Sequence, residues 1–323
     1  MMFWQIVLLI LGLALLIKGA DWLVSGASNL AKRYQISDLA IGLTIVAFGT
    51  SAPEMVVNVY AASQGHPDIV FGNVIGSNNF NLFVILGITG LLSPLVVHSN
   101  TVWKEIPISF LAIILVFLMA NEYFSMGTKI LNQWDGLILL ALFMGFLVYI
   151  FRQMKLELPP ENGEIQFLSF RKAIFLILVG LAGLVIGGRL VVSQAIHMAE
   201  GLGVSEKIIG LTIVAAGTSL PELATSVVAV IRKNNDIAVG NIIGSNIFNF
   251  LLILSVSALI NPLSYQADFN KDLIFLTAGT LFLFLAMFTG KMKKLDRWEA
   301  AILLVAYLGY MLWIMEAEVK PLV

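Results

Sequence analysis

Residues 42–54 read GLTIVAFGTSAPE and residues 210–222 read GLTIVAAGTSLPE, so 11 of 13 positions are identical at an offset of 168 residues. The same offset relates GNVIGSNNFN at 72–81 to GNIIGSNIFN at 240–249, with 8 of 10 positions identical. Two motifs that recur at one spacing predict two copies of one structural unit. Each copy places a single Glu inside an apolar segment, where a charge is costly and usually functional.

The composition is that of a membrane protein. The chain is 59% hydrophobic and 12% charged, with a mean hydropathy of +0.93, whereas soluble domains contain about 25% charged residues. A helix needs about 17 to 25 apolar residues to cross a bilayer. Suitable stretches fall near residues 3–25, 39–62, 70–93, 105–122, 134–151, 172–196, 207–231, 237–261, 272–290 and 298–315. The sequence therefore predicts an all-α polytopic membrane protein with ten transmembrane helices.

The predicted spans divide the chain into two five-helix repeats, at residues 1–151 and 172–323, joined by a linker at 152–171. Because five is odd, the second repeat should enter the membrane from the opposite side. Such inverted repeats are typical of secondary transporters, whose binding site lies at the repeat interface near mid-membrane.

The distribution of basic residues predicts the orientation. Loops on one side carry 13 Lys and Arg residues, and those on the other side, with the C-terminal tail, carry 4. By the positive-inside rule the linker is expected in the cytoplasm and both termini outside, in a multi-pass protein of the cytoplasmic membrane. The formal net charge of −1 gives no indication of nucleic-acid binding.

The GTSAPE and GTSLPE segments place a proline inside a predicted span. Pro53 and Pro221 lack an N–H and clash with the preceding turn, so each helix is predicted to kink or break just before its proline. The break should free backbone carbonyls around residues 47–50 and 215–218. Bare carbonyls are tolerated in hydrocarbon only where protein, water or an ion satisfies them. They lie about one helical turn from Glu54 and Glu222.

The second motif is predicted to complete an oxygen-lined site. Its polar residues recur every four positions and form one stripe per copy, consisting of Asn73, Ser77 and Asn81, and of Asn241, Ser245 and Asn249. Glycine pairs beside the stripes allow another helix to approach closely. Carboxylate, hydroxyl, amide and carbonyl oxygens suit Ca²⁺ and Na⁺. Softer metals favour His and Cys, and the chain has no Cys.

These doubled motifs resemble those of the calcium/cation antiporter superfamily, which includes the sodium/calcium exchangers, and in particular its short prokaryotic members. The resemblance implies that predicted helices 2, 3, 7 and 8 hold the ions while helices 1 and 6 slide past them. It implies that Glu54 and Glu222 are shared by the Ca²⁺ and Na⁺ sites. The other implied ligands are the carbonyls of Ala47, Ala215, Thr50 and Thr218, the hydroxyls of Ser51 and Ser219, and the side-chain oxygens of Ser77, Ser245, Asn81 and Asn249.

One feature departs from the pattern of the superfamily. Many exchangers carry an Asp in one copy where this chain has Asn81 or Asn249. The largest number of central carboxylates therefore falls from three to two. Two glutamates can neutralise one Ca²⁺ or two Na⁺, so a third Na⁺ would rely on neutral ligands. The ion ratio and the counter-ion stay open at this point.

The resulting hypothesis is a secondary active antiporter that exchanges Ca²⁺ for Na⁺ by alternating access. The alternative within transport is H⁺/Ca²⁺ exchange, because burial favours the protonated form of a carboxylate. A membrane-embedded hydrolase using the glutamates as acid and base is a rival, but no His pair or nucleophile–base constellation accompanies the motifs, so the protein is not expected to be an enzyme. No cofactor is expected. The expected partners are the transported ions and the bilayer, and the protein is expected to function as a monomer.

Overall fold

The computed structural model describes residues 2–121, 129–154, 168–201, 215–290 and 293–319, and these are almost entirely helical. The helices, in chain order, are α1 (Met2–Tyr34), α2 (Asp38–Thr50), α3 (Ala52–Ser63), α4 (Pro67–Leu92), α5 (Thr101–Ala120), α6 (Gln133–Met154), α7 (Phe170–Gly201), α8 (Ala215–Gly217), α9 (Leu220–Ile231), α10 (Asn235–Ile260), α11 (Phe269–Ala286) and α12 (Arg297–Val319).

Most of these helices are long and apolar enough to cross a membrane. Eight qualify individually within the described ranges, namely α1, α4, α5, α6, α7, α10, α11 and α12. Helices α2 and α3 qualify only together, as a pair bent by 49° at the break between them. Helix α9 is a shorter apolar helix of 12 residues, and residues 207–214 of the predicted seventh span lie outside the described residues. The polytopic helical prediction is confirmed, whereas the count of ten stays a prediction.

Four two-residue strands also lie in the described loops, so the described residues are nearly, rather than entirely, helical. Strand β1 (Leu95–Val96) pairs antiparallel with β4 (Lys294–Leu295), and β2 (Ile130–Leu131) pairs antiparallel with β3 (Leu263–Ser264). Two-residue strands are too short to show an alternating apolar pattern. Each ladder joins a loop of the first half to a loop of the second half. Paired loops must lie on the same side of the bilayer, so the end of α4 and the start of α12 share one side.

Helices α4 and α10 form the centre of the molecule. Their most apolar windows are 72% and 83% buried, compared with 17–44% for the other helices that qualify individually. Helix α10 packs against α2 and α9, and α3 packs against α4. The broken helices therefore lie against the two most buried ones, as expected for predicted helices 2, 3, 7 and 8.

Helices α1 and α7 pack against each other along most of their length. Glycines bring the two backbones together: a Cβ added to Gly19 would lie 2.8 Å from the carbonyl oxygen of Gly180. A Cβ on Gly180 would lie 2.6 Å from the backbone nitrogen of Leu23, and one on Gly187 would lie 2.8 Å from the carbonyl oxygen of Gly12. The two backbones therefore contact each other directly at these glycines, and this contact is the glycine seam of the fold.

Candidate ion-binding site

Both GTSxPE segments break their helices in the same way. Ser51, between α2 and α3, has φ −83° and ψ 7°, and Ser219, between α8 and α9, has φ −89° and ψ 6°. The following proline lies at the start of the next helix in each case, where its missing N–H leaves no hydrogen bond unmade. Glu54 and Glu222 then occupy first turns of helices, where the helix dipole favours negative charge. The break predicted before each proline is present.

Each carboxylate is hydrogen-bonded to a serine from the other half of the chain. Ser51 Oγ donates to Glu222 Oε1 at 2.9 Å, and Ser219 Oγ donates to Glu54 Oε1 at 3.4 Å. Both glutamates are only 1% exposed. Because each serine lies three residues before the other glutamate, the two carboxylates belong to a single site, and neither of them faces lipid.

The polar stripes tie the broken helices to the core. Thr50 Oγ1 donates to Asn241 Oδ1 at 3.0 Å, and Asn73 Nδ2 donates to Thr218 Oγ1 at 3.3 Å. These contacts are related by the same offset of 168 residues, with the direction of donation reversed. On the α10 side, Ser245 Oγ lies 3.0 Å from the Ser51 hydroxyl and 3.5 Å from a Glu222 oxygen.

Several predicted ligand atoms are buried without a hydrogen-bond partner in the described part of the chain. They are Glu54 Oε2, Glu222 Oε2, Ser77 Oγ, Asn81 Oδ1 and Asn249 Oδ1. An unsatisfied buried polar group costs about 1–3 kcal/mol, so five such oxygens among the predicted ligands indicate a binding site for an ion. A hard cation such as Ca²⁺, which takes about 6–8 oxygen ligands, would satisfy them.

The candidate ligand set is mostly neutral. Within the described ranges, no group of three or more His, Cys, Asp or Glu residues could hold a metal ion. The site instead combines two carboxylates with hydroxyl and amide oxygens. Helices α4 and α10 also contain π-helical turns at Phe80–Ile85 and Asn249–Ile253. These turns include the predicted ligands Asn81 and Asn249, the two central asparagines of the site. Such turns are frequent at functional sites.

The expectation that the break frees the Ala47 carbonyl is wrong in this conformation. Helix α2 continues to Thr50, and the Ala47 oxygen accepts from Ser51 N at 3.0 Å and from Thr50 Oγ1 at 3.3 Å. A carbonyl has two lone pairs, and here both are occupied. Its counterpart Ala215 begins α8, directly after residues that lie outside the described ranges.

Sequence reasoning did not single out Asn58 and Ser226. Asn58 Nδ2 lies 2.7 Å from both the Glu54 carbonyl oxygen and Asn73 Oδ1, while Asn241 Nδ2 donates to Ser226 Oγ at 3.0 Å. These two residues are also 168 positions apart, but one is Asn and the other Ser. The sequence feature that could have identified them is a pair of polar residues at equivalent positions inside apolar helices, rather than an identical motif.

Comparison with known proteins identifies the family. The profile described as "Sodium/calcium exchanger protein" matches residues 4–152 and 172–315. The chain belongs to the sodium/calcium exchanger family. This exchanger is 39% identical over 319 residues to "Putative antiporter CaxA" of Alkalimonas amylolytica, covering 94% of this chain and 96% of the relative. It is 33% identical to "Sodium/calcium exchanger MaX1" of Methanosarcina acetivorans, with 94% and 96% covered.

A solved structure shows the same fold. The sodium-calcium exchanger NCX_Mj superposes with a TM-score of 0.82 at 32% identity, covering 97% of this chain and 100% of that one. The exchanger is therefore a multi-pass integral membrane protein of a transporter family, not of an enzyme family. The superfamily identified from the doubled motifs, and its prokaryotic branch, are confirmed.

Proposed function

We propose that this exchanger moves Ca²⁺ across the cytoplasmic membrane in exchange for Na⁺, and that both ions bind at Glu54 and Glu222. The observation that carries the proposal is the pair of buried carboxylates, each bonded to a serine from the other half of the chain. Buried oxygens of the predicted ligands that have no hydrogen-bond partner among the described residues accompany this pair. Two relatives in the same family, MaX1 and NCX_Mj, are named sodium/calcium exchangers, which favours these two ions.

Charge neutralisation explains why the two ion fluxes would be coupled. Two ionised glutamates leave a charge of about −2 in a dry interior, where uncompensated charge is expensive. One Ca²⁺ or two Na⁺ cancel that charge. The site then crosses the low-dielectric barrier when loaded with either cation and resists crossing when empty. The protein would therefore exchange the two cations without letting either one leak across the membrane alone.

The moving parts are proposed from the packing. Helices α1 and α7 meet along a glycine seam and can slide as one unit past α4 and α10, which exposes the site first to one side and then to the other. The proposed topology keeps ten spans in two inverted repeats, with the linker 152–171 in the cytoplasm and both termini outside. The two strand ladders, each joining loops of both halves, support this arrangement. The transporting unit is proposed to be one chain.

Proton exchange is the second candidate for the counter-ion. Asn occupies both positions 81 and 249, so the site offers two carboxyl groups. Two protons could replace one Ca²⁺ on those groups with the charge conserved, and no Na⁺ ligand would be needed.

Reconstituted vesicles distinguish the candidates. Purified exchanger is placed in liposomes, and Ca²⁺ uptake is followed with a radioactive tracer under an outward Na⁺ gradient or under a pH gradient in Na⁺-free buffer. The proposal predicts fast uptake with the Na⁺ gradient and little uptake with the pH gradient. Uptake driven by the pH gradient alone would identify H⁺, rather than Na⁺, as the counter-ion. Uptake that does not depend on either gradient would refute the antiport proposal.

A further inference from the structure

Four asparagines meet between α4 and α10, and two of them, Asn78 and Asn246, belong to none of the predicted ligand sets. Both are buried, at 0% and 5% exposure, and they lie 168 positions apart. Asn81 Nδ2 donates to Asn246 Oδ1 at 3.1 Å, and Asn249 Nδ2 donates to Asn78 Oδ1 at 3.0 Å. Each helix thus contributes one asparagine that accepts and one whose amide nitrogen is held by the opposite helix.

These contacts decide which end of each central amide is available to an ion. An asparagine side chain presents an NH₂ group at one end and an oxygen at the other. With the nitrogen of Asn249 held by Asn78, its oxygen points away from that contact, and this oxygen is buried with no hydrogen-bond partner among the residues that the structure describes. Asn249 lies one helical turn after Ser245, whose hydroxyl lies 3.5 Å from a Glu222 oxygen. Residues four apart share a helix face, so Asn249 lies on the ion-site face of α10.

The orienting asparagine is itself fixed. Asn78 Nδ2 donates to the backbone carbonyl of Asn246 at 3.5 Å. Turning the Asn78 amide over would break this bond and would place its NH₂ group against the NH₂ group of Asn249. Asn78 therefore presents an acceptor, and position 249 must supply a donor. An ionised Asp at 249 would have only acceptors and would face the Asn78 oxygen across the same contact.

We propose that Asn78 and Asn246 are positioning residues, which hold the amide oxygens of Asn249 and Asn81 toward the transported ion. The centre of the site is then a pair of neutral oxygen ligands, and the charge of the site comes from its two glutamates alone. The amide at position 249 is required by the acceptor that Asn78 presents, and the amide at position 81 donates to Asn246 in the same way. This inference rests on the proposed function, since it assigns these oxygens to transported cations.

A substitution in α4 tests the inference on Ca²⁺ binding by the purified protein. Asn78→Leu keeps a similar volume and removes both hydrogen bonds. Loss of a group that orients a metal ligand lowers metal affinity by about 10–100-fold, which is the loss expected for Asn78→Leu in calorimetric Ca²⁺ titrations. Asn79→Leu is the matched control, because Asn79 is 3% exposed and donates to the Asp272 carbonyl at 3.3 Å, away from the central pair. The control should leave the Ca²⁺ affinity close to that of the wild-type protein.

A double-mutant cycle separates positioning from mere structural support. If Asn78 acts through Asn249, Asn78→Leu adds no further loss once Asn249→Ala has removed the oriented amide. Independent losses that multiply in the double variant overturn the inference, and so does an affinity for Asn78→Leu equal to that of Asn79→Leu. Asn78→Ser provides a smaller, polar replacement with the same expected loss, should the leucine variant not elute as a folded, monodisperse protein.

The wild-type protein in the same preparation reports on the proposed function separately. Vesicles that show no Na⁺-driven Ca²⁺ uptake contradict the choice of counter-ion. The Asn78 cycle is still decided by Ca²⁺ binding alone, so the two ideas fail on different measurements.

Discussion

Replacing Glu222 with Gln removes one of the two carboxylates of the proposed site while leaving its shape nearly unchanged. The Ser51 hydroxyl, 2.9 Å from Glu222 Oε1, can still donate to the amide oxygen of Gln. The lost quantity is therefore the attraction between a buried carboxylate and the bound Ca²⁺. Removing one partner of a buried charge pair costs about 3–5 kcal/mol. At about 1.4 kcal/mol per tenfold change, the Ca²⁺ affinity of Glu222→Gln should fall by roughly 100- to 5,000-fold.

The assay is a calorimetric Ca²⁺ titration of purified protein, with Glu105→Gln as the matched control. Glu105 is also a fully buried glutamate in a predicted span, and its carboxylate accepts a hydrogen bond from the Tyr149 hydroxyl, but it is not in the ion-site network. The control should bind Ca²⁺ with nearly wild-type affinity. Equal losses in both variants, or a loss below about tenfold in Glu222→Gln, would refute direct coordination by Glu222.

Three further predictions concern packing, surface charge and ligand stabilisation. Gly180→Ala should destabilise the protein by about 1–3 kcal/mol and slow exchange, because the new Cβ would lie 2.6 Å from the Leu23 nitrogen. Gly145→Ala is the control and should change neither stability nor exchange, since nothing lies within 4 Å of its added Cβ. Thermal unfolding measures the stability and vesicle uptake measures the exchange rate. Arg232→Gln, which breaks the ion pair with Asp21, should cost at most about 1 kcal/mol in denaturant unfolding, since both side chains are more than a third exposed; a larger loss would contradict a weak, solvent-exposed ion pair. Ca²⁺ at about 100 times its Kd should raise the free energy of unfolding by about 2.7 kcal/mol, and a melting temperature unaffected by Ca²⁺ would count against a native-state site.

Much of the site could be predicted because the duplication marks equivalent positions. The identical offset of the two motifs identified both helix breaks, both buried glutamates and the polar stripes on α4 and α10. Proline chemistry located each break to within two residues of its observed position at Ser51 and Ser219. These features depend on local backbone physics, which a single sequence contains.

The cross-chain partners could not be predicted in the same way. Ser51 lies beside Glu54 in the sequence, but its hydroxyl bonds Glu222, 171 residues away, because the two broken helices approach each other only in the folded protein. Asn78 lies one residue off the four-residue stripe, so helical spacing alone gave it no role. The free carbonyl expected at Ala47 depended on where α2 ends, and the helix keeps that carbonyl bonded.

Competition between Ca²⁺ and Na⁺ for the two glutamates is the most direct test of the central claim. Ca²⁺ is titrated into purified wild-type protein at a series of fixed Na⁺ concentrations, with ionic strength held constant by a large organic cation. Because two Na⁺ would replace one Ca²⁺ on Glu54 and Glu222, the apparent Ca²⁺ Kd should rise with the square of the Na⁺ concentration or more steeply. A Ca²⁺ Kd that does not change with Na⁺ would contradict a shared site.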